Sequence, residues 1–120
     1  MSLLQEKVKK HLEERGWGVS PPGDFAKAIS IEAAELLEHF QWSNPTAAEI
    51  KTNPQELKEL SHEMADVVIF ALEFCIVLGI DFETAVLEKL ILAQKKYPIE
   101  KVKGSDENYW KIKKEYRQKS

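Results

Sequence analysis

Apolar residues recur through the chain at the three- and four-residue spacing of α-helices, with no stretch of two-residue, strand-like alternation. Leu3, Leu4, Val8 and Leu12 are separated by charged residues, predicting an amphipathic helix over Leu3–Arg15 ended by Gly16. Trp17 follows, and Pro21-Pro22-Gly23 cannot continue a helix. Asp24 then reads as the N-cap of a second helix, which runs to Trp42 and is broken by Ser43-Asn44-Pro45. Ala47–Lys51 is a short helical turn. Asn53-Pro54-Gln55-Glu56 places an N-cap, a proline at the first helical position and an acid at the third, opening a long helix that ends at Gly79. Asp81 caps a further helix, Phe82–Lys96, stopped by Tyr97-Pro98. Glu100–Asn108 is polar and expected to be mobile, and Tyr109–Arg117 reads as a short terminal helix docked through Trp110 and Tyr116. No solenoid-type repeat is visible. The fold class expected is all-α, a bundle of four main helices in one domain over residues 1–120, with Glu100–Ser120 a peripheral tail.

Two features depart from plain amphipathic design. With Phe25 at zero on a helical wheel, Ile29, Leu36 and Phe40 fall within roughly 60° of it, and Glu32 lands roughly 20° away. Glu32 thus sits in the middle of an apolar stripe, with Glu35 at its edge and Glu38 pointing away. A carboxylate there costs several kcal/mol unless something positive meets it. The long helix carries the second anomaly. Between Val67 and Leu78 only Glu73 is charged, and a helix apolar on every side is expected to be buried on every side. A chain of 120 residues has trouble covering it alone, so a partner subunit is expected on one face.

Composition narrows the choices. A formal charge of −3 argues against a nucleic-acid surface built on bulk positive charge. No apolar run reaches the length of a membrane span, and no signal-peptide pattern opens the chain. The single cysteine, Cys75, excludes an internal disulfide, suits a reducing cytoplasm, and lies where core packing is expected.

The long helix repeats the acid spacing. Glu32 and Glu35 are three residues apart, as are Glu63 and Asp66, so each pair shares a helical face. Glu63 and Asp66 stand in line with Phe70, Phe74 and Val77, apart from the stripe of Leu57, Leu60, Met64, Val68, Leu72 and Cys75. Antiparallel packing of the two helices would bring both pairs to one level, in a poorly hydrated pocket. Four carboxylates that close cannot all stay ionised without a cation. Hard oxygen ligands select Mg²⁺, Mn²⁺ or Ca²⁺ over zinc, and Mg²⁺ is the usual partner of phosphate chemistry. The plainer alternative is that acids at this spacing are common on solvated helices. From the residues alone, the reading stops at a carboxylate-bound divalent metal in a helical bundle.

Glu32-x-x-Glu35, twenty-seven intervening residues and Glu63-x-x-Asp66 together resemble the all-α nucleotide pyrophosphohydrolase superfamily, and within it the MazG-like and dCTP-pyrophosphatase branch. EAAELLEHFQW is similar to that branch's Glu-x-x-Glu-x-x-x-x-Phe-Gln-Trp segment, EMADVVIF to its Glu-x-x-Asp-Val helix, and Lys89 through Lys96-Tyr97-Pro98 to its closing basic-Tyr-Pro element. The likeness spans Trp17 to Pro98. It implies Mg²⁺-dependent cleavage of a nucleoside triphosphate to the monophosphate and pyrophosphate, with Mn²⁺ a possible substitute, by a homodimer or homotetramer. It makes Glu32, Glu35, Glu63 and Asp66 the metal ligands, with Glu32 or Glu35 orienting or deprotonating the attacking water. Lys89, Lys96 and Tyr97 become candidate phosphate contacts, although lysines near a helix C-terminus also complement its dipole. Trp17 and Trp42 become candidates for stacking on the base, against the alternative of core packing. Ala93, Phe70 and Val8 stand where some members carry Asn, Tyr and His, so the resemblance does not imply strict dCTP specificity.

His39 shares a side with Glu32, where packing competes with a role near substrate or ligands; His11 and His62 receive none. A ferritin-type di-iron bundle would need two Glu-x-x-His motifs, and only Glu59-x-x-His62 is present. A non-catalytic helical oligomerisation module is the other alternative, but it would gain by replacing Glu32 with an apolar residue.

Overall fold

The computed structural model of the chain describes residues 1–103 and 106–119. The described residues are all-α: α1 (Leu3–Glu14), α2 (Pro22–Glu38), α3 (Ala47–Lys51), α4 (Pro54–Leu78), α5 (Phe82–Lys96), α6 (Ile99–Val102) and α7 (Asp106–Lys119). They fall into two compact units, Met1–Phe82 and Glu83–Ser120.

Local signals set most helix ends. The Ser2 hydroxyl accepts the Gln5 N–H at 3.2 Å to open α1, and Gly16 follows it in the left-handed conformation, φ 67°. Asn53 accepts the Glu56 N–H at 3.2 Å to cap α4, Pro54 occupies its first turn, and Gly79 ends it at φ 70°. A side chain at Gly79 would strain the backbone, because L-residues rarely take that φ. Thr46 caps α3 in the same way as Asn53 caps α4.

α2 departs from expectation at both ends. It starts at Pro22, with Pro21 at the N-cap position and no side-chain cap, so Asp24 lies within the first turn rather than before it. A proline fits the first turn, whose N–H groups lack helical partners anyway. The helix ends at Glu38, and Phe40, Gln41 and Trp42 follow outside it, although the spacing of Phe40 continues the apolar stripe.

Within the first unit, α2 packs chiefly on α4, with α1 and α3 also against α4. Val8, Leu12, Phe25, Leu72 and Cys75 are its buried apolar side chains. Burial also pushes the Cys75 thiol up, so the free cysteine is a packing group and not a thiolate. Gln5 is fully buried and ties the end of α4 to α1. Its Nε2 donates to the Ile80 carbonyl at 2.8 Å, and the Phe82 N–H donates to its Oε1 at 2.8 Å.

The long helix α4 is not buried all round. Leu72, Glu73 and Cys75 are covered, whereas Leu57, Met64, Ile69 and Leu78 are exposed in the single chain.

In the second unit, Lys96 lies over the Tyr97 and Tyr116 rings, and Lys113 over Tyr109 and Trp110. Tyr97 and Tyr109 stack at 4.8 Å. Trp110 is 62% exposed, so it leans on Tyr109 at 5.0 Å instead of docking into a core. The stretch expected to be mobile is helical at Ile99–Val102 and again from Asp106; residues 104 and 105 of it lie outside the described residues.

Candidate metal centre

Glu32 lies past the middle of α2, and Glu63 and Asp66 lie one turn apart on α4. The pairing of these helices brings one carboxylate oxygen from each of the three within 4.8 Å of the others. Ligands of an octahedral ion held at about 2.1 Å stand about 3.0 Å apart when adjacent and about 4.2 Å when opposite, so the three oxygens would draw together around a bound Mg²⁺. Glu32 and Glu63 are half-buried and Asp66 is exposed. The site is therefore open on one side rather than the poorly hydrated pocket expected.

Two oxygens carry the chemical argument. Oε2 of Glu32 and Oε2 of Glu63 are sealed from solvent without a hydrogen-bond partner. Buried carboxylate oxygens lacking a donor are costly, and a cation removes that cost. The Glu32 carboxyl is pushed above the usual range, chiefly by side-chain hydrogen bonding to Glu35. Partial burial and repulsion from Glu35, Asp66 and Glu63 push it further in the same direction. An all-oxygen, acidic donor set of this kind fits a hard divalent ion.

Of the four acids singled out in the sequence, Glu35 is the one outside the three-acid set; it is exposed and stands beside Glu32. Glu59 and His62, the lone di-iron-like motif, are exposed and outside the three-acid set, with Glu59 accepting from Gln55 Nε2 at 3.2 Å. His39 caps the C-terminus of α2, and its Nε2 lies 3.7 Å from Glu63 Oε1. Two turns past Glu32, His39 meets the earlier of the two α4 acids, as an antiparallel run of α2 and α4 requires. The one sequence signal for this contact is the position of His39 in line with Glu32, which fits packing as well as a role near the ligands.

Both candidate stacking residues are in the first unit. Trp17 is 55% exposed and meets His11 edge-on at 5.9 Å, and Trp42 is 88% exposed. Neither is a core residue. Lys89, Lys96 and Tyr97 are in the second unit, Lys89 exposed and the other two half-buried.

A family model described as the MazG-like family matches residues 27–112. The dCTP pyrophosphatase 1 of Mus musculus is 30% identical over 107 residues, which are 85% of this chain and 63% of that protein. That of Homo sapiens is 28% identical over 114 residues, 91% of this chain and 67% of the human protein. The chain thus spans a little under two thirds of the mouse relative's length. A pyrophosphatase from Archaeoglobus fulgidus of known crystal structure superposes with a TM-score of 0.67 at 36% identity, covering 79% of this chain and 89% of that one.

Proposed function

Because the chain belongs to the MazG-like family, we propose that it is a Mg²⁺-dependent nucleoside triphosphate pyrophosphohydrolase, converting a (d)NTP and water to the (d)NMP and pyrophosphate. The observation that carries this reading is the meeting of Glu32, Glu63 and Asp66 from two helices, with two buried carboxylate oxygens lacking any donor. A non-catalytic module would have no use for that arrangement.

In this reading Glu32, Glu63 and Asp66 hold the ion, with Glu35 as a fourth ligand or as the residue that works on water. When bound, Mg²⁺ would neutralise phosphate charge and polarise the bond that breaks. Glu35, beside Glu32 but outside the three-acid set, is our candidate to orient the attacking water and take its proton, as Glu32 would be committed to the ion. The water oxygen joins one side of the α–β phosphoanhydride, and the other side leaves as pyrophosphate. Lys89, Lys96 and Tyr97 are the proposed phosphate contacts. Lys96 is held over two tyrosine rings, which restricts the long side chain before any phosphate arrives. Trp17 and Trp42, with accessible faces, are the proposed stacking partners of the base.

The same reading includes a homodimer or homotetramer. Leu87, Leu90, Ile91 and Leu92 of α5 and Ile69 and Leu78 of α4 are exposed in the single chain, and a second subunit would cover such side chains. Sedimentation equilibrium tests this directly; a monomer at micromolar concentration contradicts it. No helix among the described residues is long and apolar enough to cross a membrane. House-cleaning of the cytoplasmic nucleotide pool is the proposed role, and an unchanged nucleotide profile after removal of the protein would count against it.

The decisive experiment is release of pyrophosphate over a panel of canonical and modified dNTPs and NTPs with Mg²⁺, for the native protein and for Glu35→Gln and Asp66→Asn. We expect release by the native protein, and loss of about a hundredfold or more in either variant with the fold intact. Unchanged turnover in the variants refutes the site.

A further inference from the structure

We propose that His39 is a positioning residue that holds Glu63 as a one-oxygen ligand, tuning the site toward Mg²⁺ and against Ca²⁺. The proposal rests on the metal-centre reading above and adds a residue and a selectivity to it.

Glu63 presents two unequal oxygens. Oε1 faces the His39 imidazole, with Nε2 at 3.7 Å, while Oε2 is sealed from water with nothing to accept from. Both side chains are about equally covered, at 27% exposure each. The separation exceeds a hydrogen bond, so the contact requires the two groups to close by about half an ångström as the ion binds. His39 itself has little freedom to move away, because its backbone forms the C-terminal cap of α2, with its N–H donating to the Leu36 carbonyl at 3.3 Å.

A carboxylate left alone can turn about its last torsion and offer either oxygen, or both. A donor at Oε1 removes that choice and leaves Oε2 for the ion. The distinction matters because the two candidate ions use carboxylates differently. Mg²⁺ demands near-octahedral geometry at about 2.0–2.1 Å, whereas Ca²⁺ takes six to eight oxygens at about 2.3–2.6 Å and accepts carboxylates through both oxygens. A Glu63 restricted to one oxygen suits the first ion and handicaps the second. Residues behind a metal ligand fix its orientation in this manner, and their loss typically costs about 10–100-fold in metal affinity. The ring does this through its Nε2–H.

The test is metal binding, without turnover. Mn²⁺ binding is followed by electron paramagnetic resonance, with Mg²⁺ and Ca²⁺ as competitors, for the native protein, His39→Leu and His39→Gln. Leucine keeps an apolar side chain of similar bulk, and glutamine restores an N–H at a similar reach. We expect His39→Leu to lose Mg²⁺ affinity by about tenfold with Ca²⁺ affected less, and His39→Gln to keep the native preference. A packing role would lower stability but leave the Mg²⁺/Ca²⁺ ratio untouched. A native ratio and affinity in His39→Leu overturns the proposal while leaving the metal centre standing. A native protein that binds no Mn²⁺ overturns the metal centre and this proposal with it. The imidazole ¹⁵N resonances of the native protein give a reading independent of any variant. A protonated Nε2 whose resonance moves on saturation with Mg²⁺ supports the contact, and an unprotonated or unresponsive Nε2 overturns it.

Discussion

The Phe82 backbone N–H donates to Gln5 Oε1 at 2.8 Å, across 77 residues of sequence. The other end of the same amide donates to Ile80, so one fully buried side chain satisfies both neighbours of Asp81 just beyond α4. Gln5→Leu keeps the bulk and removes both partners, leaving a carbonyl and an N–H without their bonds. Each such loss costs about 1–3 kcal/mol, so urea unfolding should show a loss of about 2–6 kcal/mol. A loss below about 0.5 kcal/mol would mean that water takes over both bonds.

Mg²⁺ should stabilise the native protein by mass action. At a hundredfold excess over the dissociation constant the gain is about 2.7 kcal/mol, visible as a rise in Tm. Asp66→Asn and Glu32→Gln should show little of it. Equal shifts in native protein and variants would place the ion elsewhere.

Glu32→Leu should separate stability from activity. The substitution continues the apolar stripe of Phe25, Ile29 and Leu36 and removes a crowded carboxylate. Replacing a charged group in an apolar stripe by apolar packing is often neutral or stabilising. The metal-free variant is expected to melt at or above the native Tm, to ignore Mg²⁺ and to release no pyrophosphate. A large drop in Tm would show that Glu32 has a structural partner.

Glu73 provides a pH signature away from the metal centre. It is buried on α4, and burial pushes its carboxyl above the usual range, with His11 pulling partly back. The folded chain then holds this proton more tightly than the unfolded one. The stability that the proton supplies is complete below the ordinary carboxylate value of about 4.3, and is lost as pH rises through the raised value. Glu73→Gln cannot lose a proton, so its stability relative to native should improve as pH rises from the ordinary carboxylate value through the raised one. A constant difference over that range would contradict the shift.

Trp42, almost wholly exposed on the turn after α2, should report nucleotide directly. Stacking on a base is worth about 1–3 kcal/mol, so Trp42→Ala should raise KM by roughly 5–150-fold and remove most fluorescence quenching by nucleotide. Quenching that survives the substitution would assign the base to Trp17 or to another residue.

Much of this was legible in the chain because it is local. Asn53, Pro54 and Gly79 mark the ends of α4 by capping chemistry that needs no tertiary partner, and α5 begins and ends as read. Glu32 announced the acid cluster because an acid in an apolar stripe requires a positive or protonated neighbour. The end of α2 was not legible: Phe40 keeps the helical spacing of the apolar stripe while the backbone turns at His39. Nor was the His39–Glu63 contact, since the register between two helices depends on how their side chains interlock. The exposure of Ile69 and Leu78 has a similar origin. Periodicity tells which faces are apolar, but not which molecule covers them.

The two donorless oxygens of Glu32 and Glu63 reach beyond the reaction they are proposed to serve. A protein that carries such a deficit in its resting state is easier to open locally at α2 and α4, and opened chains are what proteases cut. Its survival time in dilute solution should therefore lengthen as magnesium is added, even with no nucleotide to hydrolyse. Storage in a chelating buffer would shorten it.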